Sequence, residues 1–113
     1  MSLTVAQSDC FWADLQRQLD WYRERAGAEI ATGYVDAVQA ALQQLAEAPG
    51  IGRLRFSDWP ELAGLRSWRV QKPYHRHLIF YRFNDATLFA ERVIHGARDL
   101  PQRLLQSPYE AED

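Results

Sequence analysis

The chain has 113 residues, 47% hydrophobic and 25% charged, the composition of an ordinary globular protein. At that length one domain buries about 65% of the surface that its unfolded chain exposes. A net charge of −2 gives no general attraction to nucleic acid, and a single cysteine excludes an internal disulfide framework.

No apolar run approaches the roughly 18 residues that cross a bilayer. The opening Met1-Ser2-Leu3-Thr4-Val5 has no basic region or cleavage signal, so a cytoplasmic location is the expectation. Leu3 to Gln7 alternates weakly and predicts a short strand at a sheet edge. Ser8 then reads as an N-cap, with Asp9 in the first turn where negative charge suits the helix dipole. Phe11, Leu15, Leu19, Tyr22 and Ala26 recur at spacings of four, four, three and four, an apolar stripe of helical period that Trp12 and Trp21 widen. Cys10 reads as a packed helix cysteine rather than a reactive thiol. Gly27 breaks this helix. Ile30, Tyr34, Ala37, Val38, Ala41, Leu42 and Leu45 form a second stripe ending before Pro49-Gly50, and Gly33 is expected to let the two helices approach closely.

Residues 49–64 form a connection of sixteen residues with two Pro and three Gly, its apolar side chains pinning it down and Arg53 and Arg55 left outside. Three extended runs follow: Arg66 to Gln71, Arg76 to Phe83 and Thr87 to His95, each rich in β-branched and aromatic residues. Asn84-Asp85 suits a tight reversal between the last two. The middle run is apolar on both faces, so the sheet needs a cover that the helical hairpin supplies. Leu100 to Leu105 predicts one or two helical turns. The expected architecture is α+β, an N-terminal helical hairpin packed on a small antiparallel sheet in the order β-α-α-β-β-β with an optional short C-terminal helix. Residues 1–105 make one domain, and 106–113 a short acidic, flexible tail. The sheet's second face is expected to be partly open, concave and arginine-bearing.

Charge is unevenly distributed. Residues 1–64 carry five Arg against nine Asp/Glu, whereas residues 65–103 carry eight Lys/Arg against three acids. A basic sheet half of this kind can attract an acidic partner despite the negative sum, or its arginines can simply line solvated strand edges and block edge-to-edge pairing. Chemistry is less legible. His75 and His77 lie two apart in an extended run, which places both on one face, but no carboxylate or cysteine accompanies them and no metal site is expected. There is no phosphate-cradling glycine loop, nucleophile elbow or HExxH helix, so no cofactor is expected.

Three strings carry a resemblance: Leu65-Arg66-Ser67-Trp68-Arg69-Val70, then Arg76-His77-Leu78-Ile79-Phe80-Tyr81-Arg82, then Arg92-Val93-Ile94-His95-Gly96-Ala97-Arg98-Asp99-Leu100. Together with Pro49-Gly50-Ile51-Gly52-Arg53, they resemble the ParE/RelE superfamily of toxins from type II toxin–antitoxin modules, often labelled plasmid stabilisation proteins. The resemblance covers nearly the whole chain and implies the fold derived above. It also implies two possible chemistries. RelE-like members cleave mRNA on the ribosome, which needs a base, cations for the phosphorane and an acid for the leaving oxygen. In that branch His77, Tyr81 or His95 would carry protons, and Arg66, Arg69, Arg76, Arg82 and Arg92 would supply charge. ParE-like members, which the second and third strings resemble more closely, bind DNA gyrase and cleave nothing themselves.

The ParE branch is therefore the expectation, with DNA gyrase as target and a ribosome-dependent RNase or a non-toxic antitoxin-binding module as alternatives. The resemblance implies a cognate antitoxin (ParD-like or a similar DNA-binding protein) whose C-terminal segment folds onto the toxin in a hetero-oligomer. Trp12, Trp21, Arg66, Trp68, Arg69, Arg76, Tyr81, Arg92 and Arg98 are the candidate target or antitoxin contacts, since Trp and Arg are the usual interface anchors.

Overall fold

Five strands and three helices carry the chain in the computed structural model, which describes residues 2–96 and 100–106. In order they are β1 Thr4–Gln7, α1 Asp9–Arg25, α2 Ala28–Glu47, β2 Arg53–Leu54, β3 Arg66–Arg69, β4 His77–Phe83, β5 Thr87–His95 and α3 Leu100–Leu105. Two short 3-10 turns, Pro49–Ile51 and Pro60–Leu62, lie either side of β2. The sheet order is β1-β5-β4-β3-β2. The α+β class read from the sequence holds, but the sheet is mixed rather than antiparallel throughout. β1 runs parallel to β5, because the helical hairpin carries the chain back across the sheet before the meander begins.

Local chemistry fixes the corners. Ser8 caps α1 as expected, its hydroxyl accepting from the Phe11 N–H at 3.0 Å. Gly27 sits at φ 95, a left-handed angle that separates α1 from α2 at no steric cost. Asn84 accepts the Ala86 and Thr87 N–H groups on its side-chain oxygen, closing the β4–β5 turn. Gly33 is required for a different reason than expected. Its missing side chain leaves room for Tyr74, whose hydroxyl donates to the Ile30 carbonyl at 2.8 Å, not for a close approach of the helices.

Each face of the sheet has its own core. On the helix side Phe11, Leu15, Tyr34, Val38, Leu42 and Leu45 pack on Ile79, Tyr81, Leu88 and Val93. The opposite face is not open. Leu62, Leu65, Leu78, Phe80, Ile94 and Leu100 form a second cluster there, with Phe56, Trp59 and Leu104 packed against it. The long connection and α3 therefore cover the centre of that face. Their apolar side chains remove β4 from water on its second side, as its alternate residues require.

One buried ion pair ties the two layers together. A bulge leaves Glu91 without a register partner on β4, since Phe80 pairs with Arg92 while Tyr81 pairs with Ala90. Arg92 Nε and Nη2 donate to the two carboxylate oxygens of Asp14 at 2.7 and 2.9 Å, and the Val93 N–H donates to the same carboxylate at 3.1 Å. Arg92 Nη1 also donates to the Arg103 and Gln106 carbonyls, holding the end of α3. Asp14 and Arg92 are each 8% exposed. Removing one partner strands a buried charge, so Asp14→Ala should lower the unfolding free energy by about 3–5 kcal/mol in urea denaturation. A loss below about 1 kcal/mol would mean that the pair is no more than a surface contact.

Candidate partner-binding surface

Of the residues that a phosphodiester-cleaving site would use, His77 and His95 lie side by side with ring centroids 5.2 Å apart, whereas Tyr81 and Arg82 are engaged elsewhere. His77 and Tyr81 alternate with Leu78 and Phe80 along β4, so both point beneath the helices. His77 is 1% exposed and Tyr81 is fully buried. The Tyr81 hydroxyl donates to the Pro49 carbonyl at 2.6 Å and accepts the Gly52 N–H at 2.9 Å, pinning the turn after α2. Arg82 faces the other side. It donates to the Glu61 and Ala63 carbonyls and makes a bidentate pair with Glu91 at 2.6 and 2.7 Å. His95, at the end of β5, is exposed and pairs in register with His77.

His77 belongs to an aromatic nest. Its ring lies edge-on or tilted to Tyr22, Tyr34 and His95, and its Nε2 shares a 2.9 Å hydrogen bond with the Tyr22 hydroxyl. Burial first, and then the neighbouring His95, lower its pKa from 6.5 to about 4, so the ring stays neutral. Burial likewise lowers His95, helped by Arg76 and Arg103. The expectation that His75 and His77 share a face does not hold, because His75 precedes β4 in a turn. Among the described residues no cluster of His, Cys, Asp or Glu has the makings of a metal site.

Exposed binding groups gather instead at the β2 edge. β2 has two residues, paired as Arg53 to Ser67 and Leu54 to Arg66. Trp68 and Arg69 on β3 therefore lie beyond its reach. On the helix side Arg66 stands across from exposed Leu54, lies 5.8 Å from the Phe83 ring centroid, and donates to the Gly50 and Gly52 carbonyls that flank exposed Ile51. A guanidinium is thus held flat among three exposed apolar side chains. Next to it a shallow groove of about 250 Å3 is floored by Ala37, Ala40 and Ala41 of α2 and walled by Trp68 and Arg69. Small residues leave this helix face low; Ala37 and Ala41 are themselves buried, and Ala40 is exposed. The other side of the same edge carries Arg53, Arg55 and Arg69.

Of the residues singled out from the sequence, Arg66, Trp68 and Arg69 meet at this edge. Arg92 and Tyr81 are interior and engaged as described. Trp12 and Trp21 are 51% and 47% exposed on α1, where Arg25 covers the Trp21 ring at 5.3 Å, so they do not widen the buried stripe. Arg76 is exposed beside His95. Arg98 lies outside the described residues. Sequence reading missed Ile51, Leu54 and Phe83. The signal for Leu54 was present in the alternation of Arg53-Leu54-Arg55, a strand pattern hidden in a Gly/Pro-rich connection. A cavity of about 660 Å3 lies elsewhere, between β1, β5 and α3 against Ala6, Phe89, Leu104 and Leu105.

Comparison with known proteins agrees with this architecture. Residues 5–100 match the family model described as ParE toxin of type II toxin-antitoxin system, parDE. A solved chain from P. aeruginosa, described as a chromosomal ParDE TA system, superposes with a TM-score of 0.68 at 19% identity, covering 85% of this chain and 98% of that one. None of the curated proteins matches the sequence.

The neutral His77 gives a pH signature. Between its ordinary value of 6.5 and the folded value of about 4, the unfolded chain binds more protons than the folded one. Stability is complete above pH 6.5 and should fall as pH drops through that window, by the order of 2–3 kcal/mol at about 1.4 kcal/mol per unit. Urea denaturation between about pH 4 and 7 checks this: His77→Gln should flatten the dependence, and an unchanged slope in that variant would assign it to other groups.

Proposed function

This chain belongs to the ParE toxin family of type II toxin–antitoxin systems, and from that premise we propose that it binds DNA gyrase and inhibits it, held in check by a cognate antitoxin. The observation that carries the reading is the burial or engagement of the RNase candidates His77, Tyr81 and Arg82. Attack of a 2′-hydroxyl on its own phosphodiester needs proton carriers and cations within hydrogen-bond reach of one phosphate. Here His77 and Tyr81 lie under the helices, Arg82 is neutralised by Glu91 on the opposite face, and His95 stands at the rim. That arrangement favours binding over cleavage.

The β2 edge is suited to a protein partner. Interface energy concentrates in a few aromatic and arginine anchors set among apolar neighbours. Arg66 beside Ile51, Leu54 and Phe83 has that form, with Trp68 and the alanine-floored groove adjoining it. An antitoxin of the ParD type, a DNA-binding protein with an extended C-terminal segment, would compete for this surface or for the exposed Trp12 and Trp21 on α1. The complex of the two would be the resting state in the cell, where a soluble cytoplasmic toxin meets its target.

Supercoiling by purified gyrase, with and without the antitoxin-free protein, tests the proposal. Inhibition of supercoiling or accumulation of cleaved DNA is the expected outcome. Arg66→Ala should weaken that effect by about tenfold, the equivalent of roughly 1.4 kcal/mol for one interface anchor. Full supercoiling activity at saturating folded toxin would overturn the reading, and mRNA cleavage on ribosomes by the same preparation would replace it with the RelE chemistry.

A further inference from the structure

Three guanidiniums crowd one strip of the sheet, Arg53 and Arg55 clear of the proposed protein contact and Arg69 at the margin where that contact's groove begins. Arg53 on β2 stands across from Ser67 on β3. Arg55 continues the ladder through its N–H to the Leu65 carbonyl, and its Nη1 donates to Ser67 Oγ at 3.1 Å. Arg69 follows Ser67 by two residues and so projects to the same side. Ser67 and Arg69 pair with Phe80 and Leu78, both members of the cluster away from the helices. The row therefore lies on the face opposite Leu54, Arg66 and Phe83.

These charges repel one another. Partial burial lowers the Arg55 guanidinium, and Arg53 and Arg69 lower it further. Among the described residues, ion pairs join Arg23 to Asp20, Arg82 to Glu91 and Arg92 to Asp14. No carboxylate of the described residues makes an ion pair with Arg53, Arg55 or Arg69. Arg69 donates to the His75 carbonyl at 2.6 Å and Arg55 covers the Phe56 ring at 4.9 Å, so these two are held in place. Among the described residues these cations have no carboxylate partner.

We propose that this row binds the phosphodiester backbone of a nucleic acid, independently of sequence and alongside the protein contact on the other side of the edge. Guanidinium forks match phosphate oxygens in pairs, and positioning on a backbone requires charge without side-chain pockets. That condition fits this strip. The exposed apolar anchors of the edge point to the opposite face, and of the rings on this side Phe56 is covered by Arg55 and stacked on Phe80 while Trp59 is packed against the same cluster. An acidic peptide would need apolar anchors beside its carboxylates, and this strip has none to offer. The overall charge of −2 is no obstacle, since at ordinary ionic strength a charge is felt over about 10 Å.

Fluorescence anisotropy with the toxin alone tests the inference, using a short labelled DNA duplex and, separately, a labelled single-stranded RNA. The gyrase reading does not enter this measurement, and a toxin that fails to inhibit gyrase should still bind. At ~50 mM salt, binding should be measurable and should weaken linearly in log–log form as salt rises. Arg53→Gln/Arg69→Gln should weaken it at least tenfold and reduce the salt slope on duplex by about 2, near 0.9 for each lost contact. Both side chains are exposed, so the thermal midpoint should not move, and Arg53→Lys/Arg69→Lys should retain most of the binding. A preference for duplex or for RNA would identify the source of the backbone, and either supports the proposal. Absence of binding to both at low salt would overturn it. So would a double Gln variant that binds unchanged, or displacement by polyglutamate as ready as by unlabelled duplex, which would assign the row to an acidic peptide.

Discussion

The fold turns on an arginine that would be costly without its acid. Arg92 lies at a bulge in the middle of β5, under the start of α1 and beside the end of α3. A guanidinium there is tolerable only because Asp14 takes two of its donors in a fork and the neighbouring carbonyls take a third. The same carboxylate accepts the Val93 N–H. One interaction therefore fixes the rotation of α1, the position of the bulge and the docking of α3. Without it the second cluster would lose Leu100 and Leu104, and the face away from the helices would open.

Covering that face changes where function can lie. With its centre sealed, the sheet offers partners only its margins, and the two margins differ. β1 is a four-residue edge without charge, whereas β2 is two residues long and carries Arg53. A short charged edge strand resists indiscriminate pairing with other sheets. It also leaves Arg69 exposed, beside Trp68, which is half-buried against the helix-side core. Shortness of β2 thus protects the fold and leaves open the surface proposed for binding. The two sides of this edge are chemically distinct, apolar with one guanidinium toward the helices and purely cationic away from them.

Period and capping made most of the architecture readable. The α2 stripe from Tyr34 to Leu45 is buried as its spacing implies, Ser8 caps α1, and Thr87–His95 is the strand that its residues suggested. The second cluster was not readable, because Leu62, Phe56 and Trp59 follow no period and meet β4 only through tertiary contact. Asp14 left a faint mark, an acid between Phe11 and Leu15 on the buried side of a helix, but its partner lies 78 residues away. The candidate surface divides in the same way. Arg66, Trp68 and Arg69 stand in a recognisable string, whereas Leu54 and Phe83 matter only because a two-residue strand happens to end there. Arg92, Tyr81 and His77 look like contact residues in sequence since type alone cannot report burial.

The β2 edge as the contact surface is the claim on which the functional account rests. Amide hydrogen exchange of this protein, alone and saturated with purified gyrase, addresses it directly. Slowed exchange in residues 51–56 and 66–70, with the exposed side of α1 unchanged, is the result the account requires. Protection confined to the Trp12 and Trp21 side of α1, or none anywhere, would contradict it.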